Sequence, residues 1–183
     1  WYEIGLHCKP ISDHCRFNVT GFSFAGVPGV VIGHNDWIAW GLTNVGPDVL
    51  DLYIERINPQ NPDQYEVNGN WEDMVIIEEV IHVAGGDPQK LLVRHTRHGP
   101  VFSDVDDRFD DLAQTTNLDV PTHYAVSVKW TALDPTYTLQ AMIRINLAED
   151  WESFRNATRV FDVPSQNLIY ADIHGNIGYQ TPG

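Results

Sequence analysis

The chain has 183 residues, 43% hydrophobic and 11% aromatic with 20% charged, which is enough apolar material for a sizeable core in one or two packed units, so the chain need not be disordered. Asp and Glu total 25 against 11 Lys and Arg, and the formal net charge of -14 repels phosphate backbones and anionic headgroups, so nucleic acid is not an expected partner. The longest apolar stretches, such as 27–33, are broken by Pro28 and Gly29 and fall far short of a membrane span, so no membrane partner is expected either.

No basic start followed by an apolar core is seen after Trp1, so localisation has to be inferred indirectly. Cys8 and Cys15, the only cysteines, each follow a histidine, and the repeated pair His7-Cys8 and His14-Cys15 invites a zinc reading. Structural zinc sites more often use two close pairs across a long gap, and adjacent strand residues point to opposite faces. A local disulfide in an oxidising compartment and two unpaired thiols are the other readings. Strand signals then run through 17–24, 30–32 and 37–42, punctuated by Gly21, Gly26, Gly29, Gly33 and Gly41. From 49 to 57 the alternation is strict, with Leu50, Leu52 and Ile54 on one face and Asp51, Tyr53 and Glu55 on the other.

Asn68-Gly69 lies between 65–67 and Trp71 and supplies the positive φ angles of a type I′ hairpin turn. A second hairpin is predicted over 74–96, turning at Gly85-Gly86-Asp87-Pro88. The acidic stretch 104–111 reads as a solvated loop: an EF-hand needs an oxygen ligand where Arg108 stands, a glycine where Phe109 stands and a late glutamate. Tyr124, Val126, Val128 and Trp130 alternate as a half-buried strand. Helices are predicted only afterwards, one capped and started by Asp134-Pro135 and one capped by Asp150, with Trp151, Phe154, Thr158 and Phe161 on a shared face. A closing strand, 168–173, turns at His174-Gly175 into 177–180.

The informative segment runs from Gly26-Val27-Pro28-Gly29 through Ile32-Gly33-His34-Asn35-Asp36-Trp37 to Trp40-Gly41-Leu42-Thr43-Asn44, followed by Asp48-Val49-Leu50-Asp51. His98-Gly99-Pro100-Val101, the Trp130 strand, the 151–154 helix start, Gln166-Asn167 and Tyr170-Ala171-Asp172 through Gly178-Tyr179 follow in order. This series resembles the penicillin acylase family of N-terminal nucleophile amidohydrolases. The resemblance covers essentially the whole chain and implies an interior segment of the larger (beta) chain of a processed precursor, periplasmic or secreted in a bacterium.

The resemblance further implies an α+β fold, mainly antiparallel β, forming part of an αββα sandwich. Residues 1–47 and 123–183 are expected in the sandwich, with 48–122 as a β-rich excursion. It implies hydrolysis of linear amides, of penicillin type or other acylated amines, by acyl transfer to an N-terminal serine that would precede Trp1. Asn44 is expected to offer its main-chain N–H to the oxyanion, and Ile32, Leu42, Gly46, Trp130 and Gln166 fall at or beside acyl-pocket positions. Asp48 and Asp51, with the Leu50 carbonyl, match a structural calcium site of the complete protein, and the implied partners are the rest of the beta chain, the smaller alpha chain and a small amide substrate. The rival reading is a non-catalytic β-rich ligand-binding module using Trp37 and Trp71, or a degenerate acylase.

Overall fold

The computed structural model describes residues 1–182. They form two units, one built from 1–47 and 134 onward, the other from Asp48–Leu133. In chain order the first unit contributes β1 (Tyr2–His7), β2 (Asn18–Ser23), β3 (Ile32–His34) and β4 (Ile38–Asn44). The second contains β5 (Leu50–Asn58), β6 (Asn61–Val67), β7 (Asn70–Asp73), β8 (Val75–Ile81), β9 (Gln89–Thr96), β10 (Gly99–Pro100), a short α1 (Leu112–Thr115) and β11 (Tyr124–Trp130). The chain then returns to the first unit with α2 (Thr138–Asn146), α3 (Trp151–Thr158), β12 (Gln166–Asp172) and β13 (Ile177–Gln180). The fold is α+β with mainly antiparallel strands.

The first unit is a six-stranded sheet, β1-β2-β3-β4-β12-β13, with α2 and α3 packed on one face. Strand alternation decides which side chains meet the helices. Ile38 and Trp40 of β4 and Leu168 and Tyr170 of β12 turn inward, where Ala141, Met142 and Ile145 of α2 and Phe154 and Ala157 of α3 cover them. Full burial of one such large apolar side chain is worth about 1.5–3 kcal/mol. Trp40 also satisfies its indole N–H, which donates to the Val31 carbonyl at 2.9 Å. On the face turned away from the helices, Ile169, Ile177 and Tyr179 stay exposed.

Two features make the helix layer fit. Asp150 caps α3 through a capping box, its carboxylate accepting from the Ser153 N–H at 2.8 Å while the Ser153 hydroxyl accepts from the Asp150 N–H at 3.1 Å. Trp151, the first residue of α3, lies over Gly178, where a Cβ would come within 2.5 Å of the indole ring. Helix α2 begins at Thr138, later than the Asp134-Pro135 start predicted, and no side chain caps it. The Thr138 hydroxyl is engaged elsewhere, accepting from the Val163 N–H at 3.1 Å and donating to the Val163 carbonyl at 2.9 Å.

The second unit holds a four-stranded sheet, β11-β5-β6-β7, and a three-stranded sheet, β10-β9-β8. The predicted turn at Asn68-Gly69 has φ of 51° and 82°, joining β6 to β7. β8 and β9 form the predicted second hairpin. The unit boundary falls after Leu133, not near 122 as expected from sequence. The reason is β11, which pairs with β5 along its full length from Tyr124 opposite Arg56 to Trp130 opposite Leu50.

Cys8 and Cys15 are joined as a disulfide at the base of the loop between β1 and β2, which removes the zinc reading. Among the described residues no three His, Cys, Asp or Glu side chains gather to hold a metal, and no helix is long and apolar enough to cross a membrane.

Candidate active site

Three of the positions singled out from sequence meet in the first unit. Strand β4 ends at Asn44, directly opposite Gln166, the first residue of β12. Alternation puts Leu42 on the same face as Asn44, and these residues share a cavity of about 500 Å³ with Leu139 and Met142 of α2 and with Phe161. The cavity is largely apolar, and its polar groups are concentrated where the two strands begin and end. That is the composition of a small-molecule site: apolar walls for bulk and a few placed polar groups for orientation.

The polar end is wired through Gln166, which is 3% exposed. Its Nε2 donates to Asn44 Oδ1 at 3.1 Å and to the Ser165 carbonyl at 2.9 Å. Asn167 supports the same strand end from the neighbouring position, its Nδ2 donating at 3.3 Å to the Asn44 carbonyl and at 3.3 Å to Thr43 Oγ1. Its Oδ1 accepts from the Tyr179 hydroxyl. Asn167 is therefore a brace for the Asn44 backbone. Asn44 itself leads into the turn Val45-Gly46-Pro47, where the chain leaves the sheet. A strand end of this kind is where a main-chain amide can be aimed at a developing negative charge.

The remaining positions lie elsewhere. Gly46 does not line this cavity; it has a φ of +72° and open space around it, so backbone conformation is what favours glycine there. Ile32 lines a separate concavity with Thr20, Phe22, His34 and Ala39. Trp130 belongs to the second unit, opposite Leu50 in the β11–β5 pair, and both side chains line an apolar cavity of about 650 Å³ with Leu52, Phe102 and Phe109. The Leu50 side chain is thus committed to an apolar wall, leaving only its carbonyl for a cation. Asp48 and Asp51 are both exposed, and Asp51 stands across from Lys129 in the ladder. Two exposed carboxylates and a carbonyl fall short of the 6–8 oxygens that calcium takes, so these residues alone do not fit a calcium cage.

The second unit also contains a Ser/His/Glu grouping that sequence reading missed, since its members are far apart in the chain. Glu55 is 5% exposed, and its Oε1 accepts from Ser127 Oγ at 2.6 Å and Thr96 Oγ1 at 2.7 Å and contacts His98 Nδ1 at 2.8 Å. His98 stacks on Tyr53 with ring centroids 3.8 Å apart. In nucleophilic catalysis the base must reach the hydroxyl it deprotonates. Here serine and histidine both converge on the carboxylate, and Ser127 is fully buried, so the grouping satisfies a buried acid and does not form a nucleophile relay.

Residues 1–183 match the penicillin amidase family over their whole length. The chain belongs to that family. It is 32% identical over 184 residues to penicillin G acylase of Escherichia coli, covering 100% of this chain and 19% of that protein. It is 31% identical over 169 residues to the acyl-homoserine lactone acylase QuiP of Pseudomonas fluorescens (strain Pf0-1), covering 92% of this chain and 19% of that protein. The thermostable penicillin G acylase from Alcaligenes faecalis, a solved structure, shares the fold with a TM-score of 0.75 and 32% identity, over 100% of this chain and 29% of that one. This penicillin amidase family chain therefore spans about a fifth of the length of the curated relatives it matches. Relatives named for amide-cleaving activities make it part of an acylase family.

Proposed function

We propose that the complete protein hydrolyses linear amides, of penicillin type or other acylated amines, and that residues 1–183 form part of its acyl-binding and oxyanion scaffold. The observation that carries this reading is the convergence of Leu42, Asn44 and Gln166 on one largely apolar cavity at the strand ends of a penicillin amidase family fold. A serine hydroxyl at the start of the larger chain of a processed precursor, outside residues 1–183, attacks the amide carbonyl, and its own α-amine takes the hydroxyl proton and passes it to the leaving amine. The Asn44 N–H stabilises the oxyanion, and water then releases the acid. Leu42 and Gln166 shape the acyl pocket, whereas Ile32 and Gly46 lie outside this cavity and Trp130 lines a cavity of the second unit. The Cys8–Cys15 disulfide supports an oxidising compartment, periplasmic or extracellular.

The test compares the complete protein with the 183-residue chain on a chromogenic phenylacetyl amide. The complete protein is expected to release the chromophore and the shorter chain to be inactive, because donors to an oxyanion cannot replace the nucleophile that begins acyl transfer. Turnover by the 183-residue chain, or failure of the complete protein to cleave any linear amide, refutes the reading.

A further inference from the structure

The side chain of Asn44 has its carbonyl engaged and its amino group unengaged. Leu42 and Asn44 alternate onto the same face of β4 and both line the cavity, and Asn44 is an exposed residue where its partner Gln166 is buried. Asn44 Oδ1 accepts from Gln166 Nε2 at 3.1 Å, and that Nε2 also donates to the Ser165 carbonyl at 2.9 Å. These two bonds fix the direction of the Asn44 amide. Reversing it would set Nδ2 against Gln166 Nε2, donor against donor, and reversing Gln166 as well would set Oε1 against the Ser165 carbonyl oxygen, acceptor against acceptor. Oδ1 is therefore held toward Gln166 and Nδ2 is turned away from it, and among the described residues no acceptor meets Nδ2.

A donor at an exposed position is served by water, and a bound ligand changes that balance. An acyl chain seated against Leu42, Leu139 and Met142 covers the polar end of the cavity, and a donor cut off from water without a partner costs about 1–3 kcal/mol. The short Cα–Cβ–Cγ link ties Nδ2 to the Asn44 main-chain nitrogen, so an acceptor that meets Nδ2 lies within a few atoms of the carbonyl held by that N–H. We infer that Asn44 selects the acyl group through its side chain: the site prefers acyl groups carrying an oxygen acceptor, an ether or keto oxygen close to the scissile carbonyl, which takes a hydrogen bond from Nδ2. This rests on the amide-hydrolase reading above and deepens it by naming a specificity-determining side chain and the substrate class it selects. The two roles of the residue are separable, because the oxyanion contact uses a backbone N–H, which every residue but proline supplies, and the acyl contact uses Nδ2. Apolar walls alone distinguish similar chains weakly, whereas a placed hydrogen-bonding group rejects the analogue that cannot pair with it.

The experiment uses the complete protein as wild type, Asn44→Leu and Asn44→Asp, with para-nitroanilides of linear acids in which an ether oxygen replaces one methylene at successive positions from the carbonyl. Each ether is compared with its all-carbon counterpart, and calorimetry measures binding of the corresponding free acids, which needs no turnover. For at least one position the ether-over-carbon ratio of the wild type, in kcat/KM and in affinity of the acid, is expected to exceed that of Asn44→Leu by roughly threefold or more. Asn44→Asp keeps the bond from Gln166 and puts an acceptor where Nδ2 stood, so its ratio should fall at least as far. Each ratio is taken within a single protein, so a smaller folded fraction cancels, and the inductive effect of the ether oxygen is the same in all three. A purely structural role for the Asn44 side chain would lower both members of each pair alike. A smaller difference than this at every position overturns the inference while leaving amide hydrolysis intact. Absence of any amide turnover overturns the hydrolase reading instead, and the acid-binding ratios then still decide the role of Asn44.

Discussion

Asn146 pairs with both backbone groups of Val30, its Oδ1 accepting from the Val30 N–H at 2.7 Å and its Nδ2 donating to the Val30 carbonyl at 2.7 Å. Val30 is fully buried in the short link between β2 and β3, where no neighbouring strand serves it. The side-chain amide at the end of α2 thus does what a strand would do, fixing the helix layer to the sheet. Asn35 adds to the clamp by donating to the Ala148 carbonyl at 2.7 Å. Asn146→Leu leaves a buried N–H and a buried carbonyl unpaired, and the expected loss is about 2–5 kcal/mol. Urea unfolding of both proteins checks this; an unchanged midpoint would show that water serves Val30 equally well.

The packing of Trp151 on Gly178 gives a second prediction. A methyl group at 178 would stand 2.5 Å from Cζ3 and 2.8 Å from Cε3 of the indole, so Trp151 must move. That ring also meets Tyr170 at a centroid distance of 5.2 Å, edge-on, and Phe154 at 5.8 Å, so its displacement disturbs the aromatic cluster at the centre of the unit. Gly178→Ala is expected to lower stability by about 1–3 kcal/mol, the usual cost of overpacking. Trp151→Leu in the same background should recover part of it, and additive losses in the double variant would contradict the contact.

Asp172 sets an acid limit. Its carboxylate is held down to about 2, first by the Asn176 side-chain amide at 2.9 Å, with further bonds from the Asn176 and His174 N–H groups and the Tyr170 hydroxyl. A folded-state value below the unfolded one means that the stabilisation is present above the unfolded carboxylate pKa of about 3.9 and is lost as pH falls through about 2. The stability advantage of wild type over Asp172→Asn should therefore be constant above about pH 5 and shrink steadily toward pH 2. Unfolding curves across that range decide it, and a gap that does not change with pH removes the assignment.

How far the sequence revealed this arrangement depends on the range of the interaction concerned. Asn68-Gly69 and the Asp150 cap are local, since neighbours within a few residues determine both, and both took the predicted form. Tyr2–His7 gives only a weak strand signal, although Tyr2, Ile4 and Leu6 alternate there, because it is short and partly exposed and carries Gly5. The Gln166–Asn44, Asn146–Val30 and Glu55–Ser127 contacts join residues 122, 116 and 72 apart, and no periodicity encodes them. Family resemblance points to Asn44, Leu42 and Gln166 without revealing that, among the described residues, Gln166 Oε1 has no hydrogen-bond partner. That property arises only when the Ser165 carbonyl and Asn44 are brought to the same amide.

The disulfide gives a prediction about stability and about metal at once. Cys8 and Cys15 are separated by 7 in sequence, with the Cys8 N–H donating to the Phe17 carbonyl at 2.9 Å just outside the loop. Closing so short a loop restricts the unfolded chain modestly, by about 2 kcal/mol. Cys8→Ser with Cys15→Ser is expected to lose that amount, and reduction of the wild type should match it. A zinc-selective chelator should leave the melting temperature of the 183-residue chain unchanged; a fall in that temperature would restore the zinc reading of the His-Cys pairs.

Calcium provides the last test. The motif Asp48-Val49-Leu50-Asp51, expected from the resemblance to hold calcium, has an incomplete set of ligands on its own. Asp51 alternates with Leu50 and faces Lys129 across the ladder, and Asp48 precedes the strand, so two exposed carboxylates stand without a third acid beside them among the described residues. Two carboxylates in water hold a hydrated cation weakly, because calcium gives up its water shell only for several oxygens placed together. We therefore expect the 183-residue chain to bind calcium weakly or not at all in calorimetric titration. The complete protein, if it supplies the missing oxygens, should bind one ion tightly, and Asp48→Ala and Asp51→Ala should each weaken it by at least about tenfold. Its melting temperature should then rise with calcium concentration in proportion to that affinity. A tight stoichiometric site on the 183-residue chain that survives both substitutions would mean that the ion is held by other residues altogether.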